Sequence, residues 1–145
     1  MNEPTDSSRV VYGLTLGVLA TVVFGVAYGL SAELVGLTFS LPVVGVVGGW
    51  IIGTAVAYGT WGESAHEPDR TVRVGAAVLA GVGWLLGLVV AYVVSQALIP
   101  QAATGLVERL SLGGFLDYIL GLDLVRLLHL LSLVLVTFMA WRSAR

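Results

Sequence analysis

No cysteine occurs in the chain. Disulfides, thiolate zinc sites, iron–sulfur clusters and cysteine nucleophiles are therefore excluded, and the redox compartment is not legible. No lysine occurs either. All seven basic residues are arginine and the sequence pI is near 5.5, which argues against a basic nucleic-acid-binding surface and hints at a GC-rich or salt-adapted prokaryotic source. Charge of either sign is scarce: 11 % of residues are charged, against about 25 % in typical soluble domains. There is no GxSxG, no HExxH and no P-loop, so no nucleophile, base and orienting group fall together. A non-enzymatic protein with no cofactor and no metal site is the expectation. The 145 residues suit one domain, with no room for a soluble catalytic domain beside membrane spans.

What the chain does have is long apolar runs. Three uncharged stretches reach twenty residues or more, the pattern of membrane-spanning helices. Residues 1–9 are polar and mixed in charge, and read as a short tail. Acidic residues replace the positive n-region of a signal peptide, and the apolar run that follows is too long for one. Spans are predicted over about 10–32, 41–61, 72–99 and 120–141. The first covers roughly 34 Å as a helix, enough for a hydrocarbon core of about 30 Å. Ser40-Leu41-Pro42 is a start signal for the second, and Pro100 stops the third. Tyr12 and Tyr28 fall near the two ends of the first span and Tyr58 and Trp61 at the far end of the second, where amphipathic rings prefer the interface.

Small residues recur along these spans every fourth position. Gly45, Gly49, Gly53 and Ala57 mark the second span. Gly13, Gly17, Thr21, Gly25 and Gly29 mark the first, and Ala76, Ala80, Gly83, Gly87, Ala91 and Ser95 the third, with one three-residue step. Residues four apart stack on one helix face, so each set is a strip of nearly bare backbone. In lipid, burying apolar side chains gains little, and close backbone approach is what joins helices. The reading is an all-α membrane protein, a four-helix transmembrane bundle in which the first three helices touch through glycine ridges. The fourth span is Leu-rich without such a ridge and is expected on the lipid-facing side. Between Thr104 and Leu112 an amphipathic, interfacial helix is expected before the last span, and Gly113-Gly114 is expected to break any helix there.

Arginine placement sets orientation. Arg9, Arg70, Arg73, Arg142 and Arg145 fall on one side of a four-span chain, Arg109 and Arg126 on the other. Five against two predicts a multi-pass protein of the cell membrane with both termini cytoplasmic.

Gly49, Trp50, Gly53 and Ala55, then Ala76 to Ala80, then Ala140, Trp141 and Arg142 follow a pattern. It is a glycine-rich first span, a Gly-aromatic-x-x-Gly-x-Ala core, a polar loop, an Ala-Leu-rich third span and an Ala-aromatic-Arg ending. In this the chain resembles a family of small, uncharacterised prokaryotic four-span integral membrane proteins. The resemblance implies architecture only, since that family carries no assigned activity. The loop after the second span departs from the pattern, being acidic where basic residues belong.

Two polar groupings are candidate sites. Asp123, Arg126, His129 and Ser132 recur every third residue on the fourth span and form a candidate polar path, since ionisable groups within a span are functional candidates by default. The alternative is an interfacial Asp123–Arg126 pair with Arg126 reaching to the headgroups. Glu63, His66, Glu67 and Asp69 match no standard zinc spacing and read as an acidic loop, with Asp69 positioned to pair with Arg73. Trp50 and Trp84 read as core or lipid contacts. Of three functions, a membrane-embedded enzyme ranks lowest because no nucleophile, base and orienting group fall together, and two others stand ahead of it. One is a structural, scaffold or accessory component of a cellular membrane or viral envelope, whose partners are the lipid bilayer and a second copy or another membrane protein, with no nucleic acid. The other is a small oligomeric transporter or channel using the fourth-span string.

Overall fold

The structure, a computed structural model, describes residues 7–34, 40–61, 70–99, 105–120 and 124–144. Six helices lie within them: α1 (Ser7–Leu34), α2 (Leu41–Trp61), α3 (Arg70–Ala97), α4 (Leu106–Arg109), α5 (Leu112–Leu120) and α6 (Leu124–Ser143). Four of these, α1, α2, α3 and α6, are long and apolar enough to cross a membrane. Neighbours in the chain run antiparallel, so α1 and α3 point one way and α2 and α6 the other. Pro42 falls in the first turn of α2, where its missing N–H costs nothing.

In cross-section the four long helices form a diamond. α1 packs on α2 and α3, α6 packs on the same two, and α2 touches α3 across the short diagonal. Small residues fill the seams and large ones point outward. Ala76, Ala80, Ala91 and Ala140 are fully buried, while Val23, Val43 and Val134 are 71 %, 62 % and 62 % exposed. In water so much exposed apolar surface is untenable; against acyl chains it is the ordinary arrangement. Hydroxyls on the spans donate to their own helix: Thr15, Thr21, Ser31, Thr60, Ser132 and Thr137 each bond the carbonyl four residues back. That leaves no hydroxyl proton of theirs unsatisfied in the hydrocarbon.

The ridge of α1 meets α2 and α3, and it is the ridge of the second span that meets a partner other than those expected. Gly13 lies against Thr60 and the Val56 carbonyl of α2, whereas Gly25 and Gly29, further along the same ridge, lie against the Gly83 and Gly87 carbonyls of α3. Gly45, Gly49 and Gly53 do not face α1 or α3. They meet α6, at Ser132, Val136 and Ala140. The expectation that the fourth span stands on the lipid side without a small-residue ridge is therefore corrected: His129, Ser132, Val136 and Ala140 are its buried face. The spacing between them is three and four residues, and two of the four are not small, so a search for glycine alone passes over it. Ala57, the last small residue of its ridge, and Ala91 of the third ridge are buried.

The segment before α6 also departs from expectation. Gly113-Gly114 does not break a helix; it forms the first turn of α5. Ser111 caps that turn, its Oγ accepting the Gly114 N–H at 3.0 Å, and in a first turn glycine loses no internal hydrogen bond. Among the described residues the expected interfacial helix is present only as the four residues of α4, and the last span is described over Leu124–Ser143, residues 121–123 lying outside the described residues.

Candidate functional site

The site is built around one side chain that crosses the bundle. α1 and α6 stand at opposite corners of the diamond, and Tyr28 of α1 spans the gap to His129 of α6. The Tyr28 hydroxyl and His129 Nδ1 are 2.8 Å apart, one donating and the other accepting according to the imidazole tautomer. Tyr28 is 0 % exposed and His129 6 %. Tyr28 is thus not an outward-facing interfacial ring, and that expectation is corrected. The reason is local. Tyr28 adjoins the Gly25–Gly29 ridge, which draws its face of α1 inward, and Gly87 leaves room for the ring: a Cβ there would lie 2.7 Å from Tyr28 Cδ1. Phe24, one turn earlier, fills the notches at Gly48 and Gly83, with its ring centroid 5.6 Å from that of Tyr28.

Trp84 completes the cluster. Its indole Nε1 donates to the His129 carbonyl at 2.9 Å, so α3 holds the backbone of α6 where α1 holds the imidazole. Ser132, one turn below His129, donates to the Leu128 carbonyl at 2.8 Å. Trp84 is therefore a core residue, while Trp50 is 55 % exposed on the outer surface of α2.

Above His129 a second polar group is organised by α5. The Tyr118 hydroxyl donates to Glu33 Oε1 at 2.6 Å. Burial raises the Tyr118 phenol above its ordinary pKa, and the hydrogen bond and negative charge of Glu33 raise it further; Arg126 opposes this weakly. Tyr92 anchors α5 from α3. Its ring stands 5.6 Å from Phe115 and 5.7 Å from Tyr118, and its hydroxyl meets the Arg109 and Ser111 carbonyls at 3.3 and 3.4 Å. Arg109 donates to the Gln96 carbonyl at 2.6 Å. Between the two polar groups lies a pocket of about 10 Å³, bounded by Trp84, Tyr118, Arg126 and His129.

Of the candidate path, Arg126, His129 and Ser132 lie along one side of α6 turned toward the bundle, with Arg126 half-buried at the upper rim. Asp123 lies outside the described residues, as do Glu63, His66, Glu67 and Asp69. Beyond Ser132 the string ends, since Val136 and Ala140 follow, each fully buried. Among the described residues no group of three or more His, Asp or Glu could hold a metal ion. At the other end of the bundle the Arg73 guanidinium lies 5.9 Å from the Trp141 ring, a cation–π contact. A larger recess is external, about 470 Å³ between α1 and α2, and its walls are apolar, with Leu19, Val23, Val43 and Val47 among them.

Sequence reasoning found His129 but missed Tyr28, Trp84, Tyr118 and Glu33. The available signal was adjacency: Tyr28 and Trp84 each sit one residue from a ridge glycine, Gly29 and Gly83, and so on an inward-turning face.

Four apolar spans around a buried polar cluster define the class, a multi-pass helical membrane protein. Comparison with protein-family models, curated proteins and solved structures finds no match for the chain, so the resemblance to small four-span proteins rests on its four apolar helices alone.

Proposed function

We propose that the protein is a non-catalytic component of a membrane, a structural, scaffold or accessory subunit whose contribution is a tightly packed bundle. One observation carries this reading: the polar string stops. Glu33, Tyr118, Arg126, His129 and Tyr28 cluster toward one end, and the inner face of α6 past Ser132 is closed by Val136 and Ala140 against Gly49 and Gly53. The larger recess is outside and apolar, which suits a protein that meets lipid and neighbouring helices through its surface. The partners on this reading are the bilayer and another membrane protein or a second copy. Arg9, Arg70, Arg73 and Arg142 gather at the end opposite the polar cluster, and the positive-inside tendency puts that end, with both termini, in the cytoplasm.

A second reading, a small transporter or channel, is favoured by the inward turn of His129 and Ser132, which removes them from lipid. Reconstitution in proteoliposomes separates the two. The first reading expects ion and proton flux at the protein-free background, equal in wild type and His129→Ala, together with co-extraction of a defined partner or a defined oligomer in mild detergent. Flux above background that falls in His129→Ala would overturn it.

A further inference from the structure

The geometry points to a water-binding site beneath α5, where a single water joins the Glu33–Tyr118 pair to the His129–Tyr28 pair and gives His129 contact with solvent protons from the Glu33 end of the bundle. This holds whether the protein is a scaffold or a transporter, because it concerns hydration of the site and not passage through it.

Three observations converge. First, the pocket is of the right size. At about 10 Å³ it matches the space that one buried water occupies. Second, among its largely apolar walls, which include Leu88, Ile119 and Leu130, stand three polar residues, Tyr118, Arg126 and His129. A buried water needs two to four polar partners. Tyr118 spends its proton on Glu33, which leaves its hydroxyl oxygen to accept. Arg126 and His129 line the same space, and a guanidinium carries five N–H donors. Third, each pair contributes one residue to the walls of the same space, Tyr118 from one and His129 from the other. Among the described residues the ionisable groups lining the pocket are Tyr118 from α5 and Arg126 and His129 from α6; Glu33 and Tyr28 of α1 are bonded to Tyr118 and His129, and the Tyr92 ring of α3 lies tilted 5.7 Å from that of Tyr118.

Deeper in the bundle the situation is opposite. Ile52, Val56 and Val136 are 0 % exposed, and a seam of methyl groups and glycine backbone offers water no partners. Hydration should therefore reach His129 and stop there.

The test uses the full chain in lipid bilayers, with His66→Gln so that His129 is the sole histidine of the two. Magnetisation transfer from water protons to the histidine ring is followed by solid-state NMR, with Val136 as the dry reference. The expected result is rapid build-up at His129, much slower build-up at Val136, and loss of the rapid phase in Tyr118→Phe, which removes one water partner but keeps the ring. A His129 build-up no faster than that of Val136 would overturn the proposal without any variant. So would a rapid build-up that Tyr118→Phe leaves unchanged.

Discussion

Adding one methyl group to a span is a sharp test of how the bundle closes, because the same change has different consequences at two glycines, one on α2 and one on α3. At Gly49 a Cβ would strike the Val136 carbonyl, 3.0 Å from its carbon and 2.9 Å from Met139 Cβ. Two of those three atoms are α6 backbone, which cannot rotate away. The helices must separate by several tenths of an ångström to restore ordinary contact. At Gly81 of α3 the nearest atom is Thr137 Cγ2 at 3.8 Å, an ordinary van der Waals distance. In water, glycine to alanine in a helix gains up to about 1 kcal/mol in propensity. Within a bilayer that gain nearly cancels, because the separated spans remain helical to satisfy their backbone. The packing contribution is left almost alone. Overpacking costs about 1–3 kcal/mol, so Gly49→Ala is expected to shift the folding equilibrium by roughly 5- to 150-fold, at tenfold per 1.4 kcal/mol. Gly81→Ala should lie within about 0.5 kcal/mol of wild type. The assay is reversible unfolding in mixed micelles, followed by tryptophan fluorescence rather than helicity, since helicity persists. Equal shifts for the two variants, or a neutral Gly49→Ala, would refute the claim that α2 and α6 touch through bare backbone.

The other predictions concern the polar cluster. Tyr28→Phe removes the hydroxyl that bonds His129 and should cost about 0.6 kcal/mol, the average for hydrogen bonds between membrane helices, and no more than about 1.7; a neutral result in the same unfolding assay would mean that His129 finds another partner. For Tyr118 the sign follows from its raised pKa. Burial and Glu33 keep the phenol protonated in the docked state, so its contribution to docking α5 is fully present below the ordinary value near 10 and is lost as the pH rises above it. A pH titration of α5 protection by hydrogen exchange should show this alkaline loss in wild type, and Tyr118→Phe should flatten it.

Much of the architecture was legible in residue pattern. The second helix was read from its capping serine and Pro42 to its interfacial Trp61, and it occupies Leu41–Trp61, because its start and stop signals are local. The third, read as 72–99, is Arg70–Ala97. The region before the last span was read less well. Gly113-Gly114 is a breaker inside a helix but harmless in a first turn, and which of these applies depends on the cap at Ser111. The polar site was half legible. His129 and Ser132 stand out in an apolar run, whereas Tyr28 and Tyr118 look like ordinary interfacial aromatics until their partners on other helices are known.

Hydropathy and four-residue spacing were enough, without coordinates, to establish four apolar helices, three of them with small residues along one face. Each span must satisfy its own backbone in lipid, so its existence depends only on its own residues. Which ridge meets which helix was decided by tertiary structure. A strip of bare backbone accepts any close neighbour, and nothing in Gly45, Gly49 and Gly53 distinguishes α6 from α1 or α3. The choice depends on how the seams fill together, with Phe24 in the notches at Gly48 and Gly83, Tyr28 over Gly87, and α6 left to close against α2.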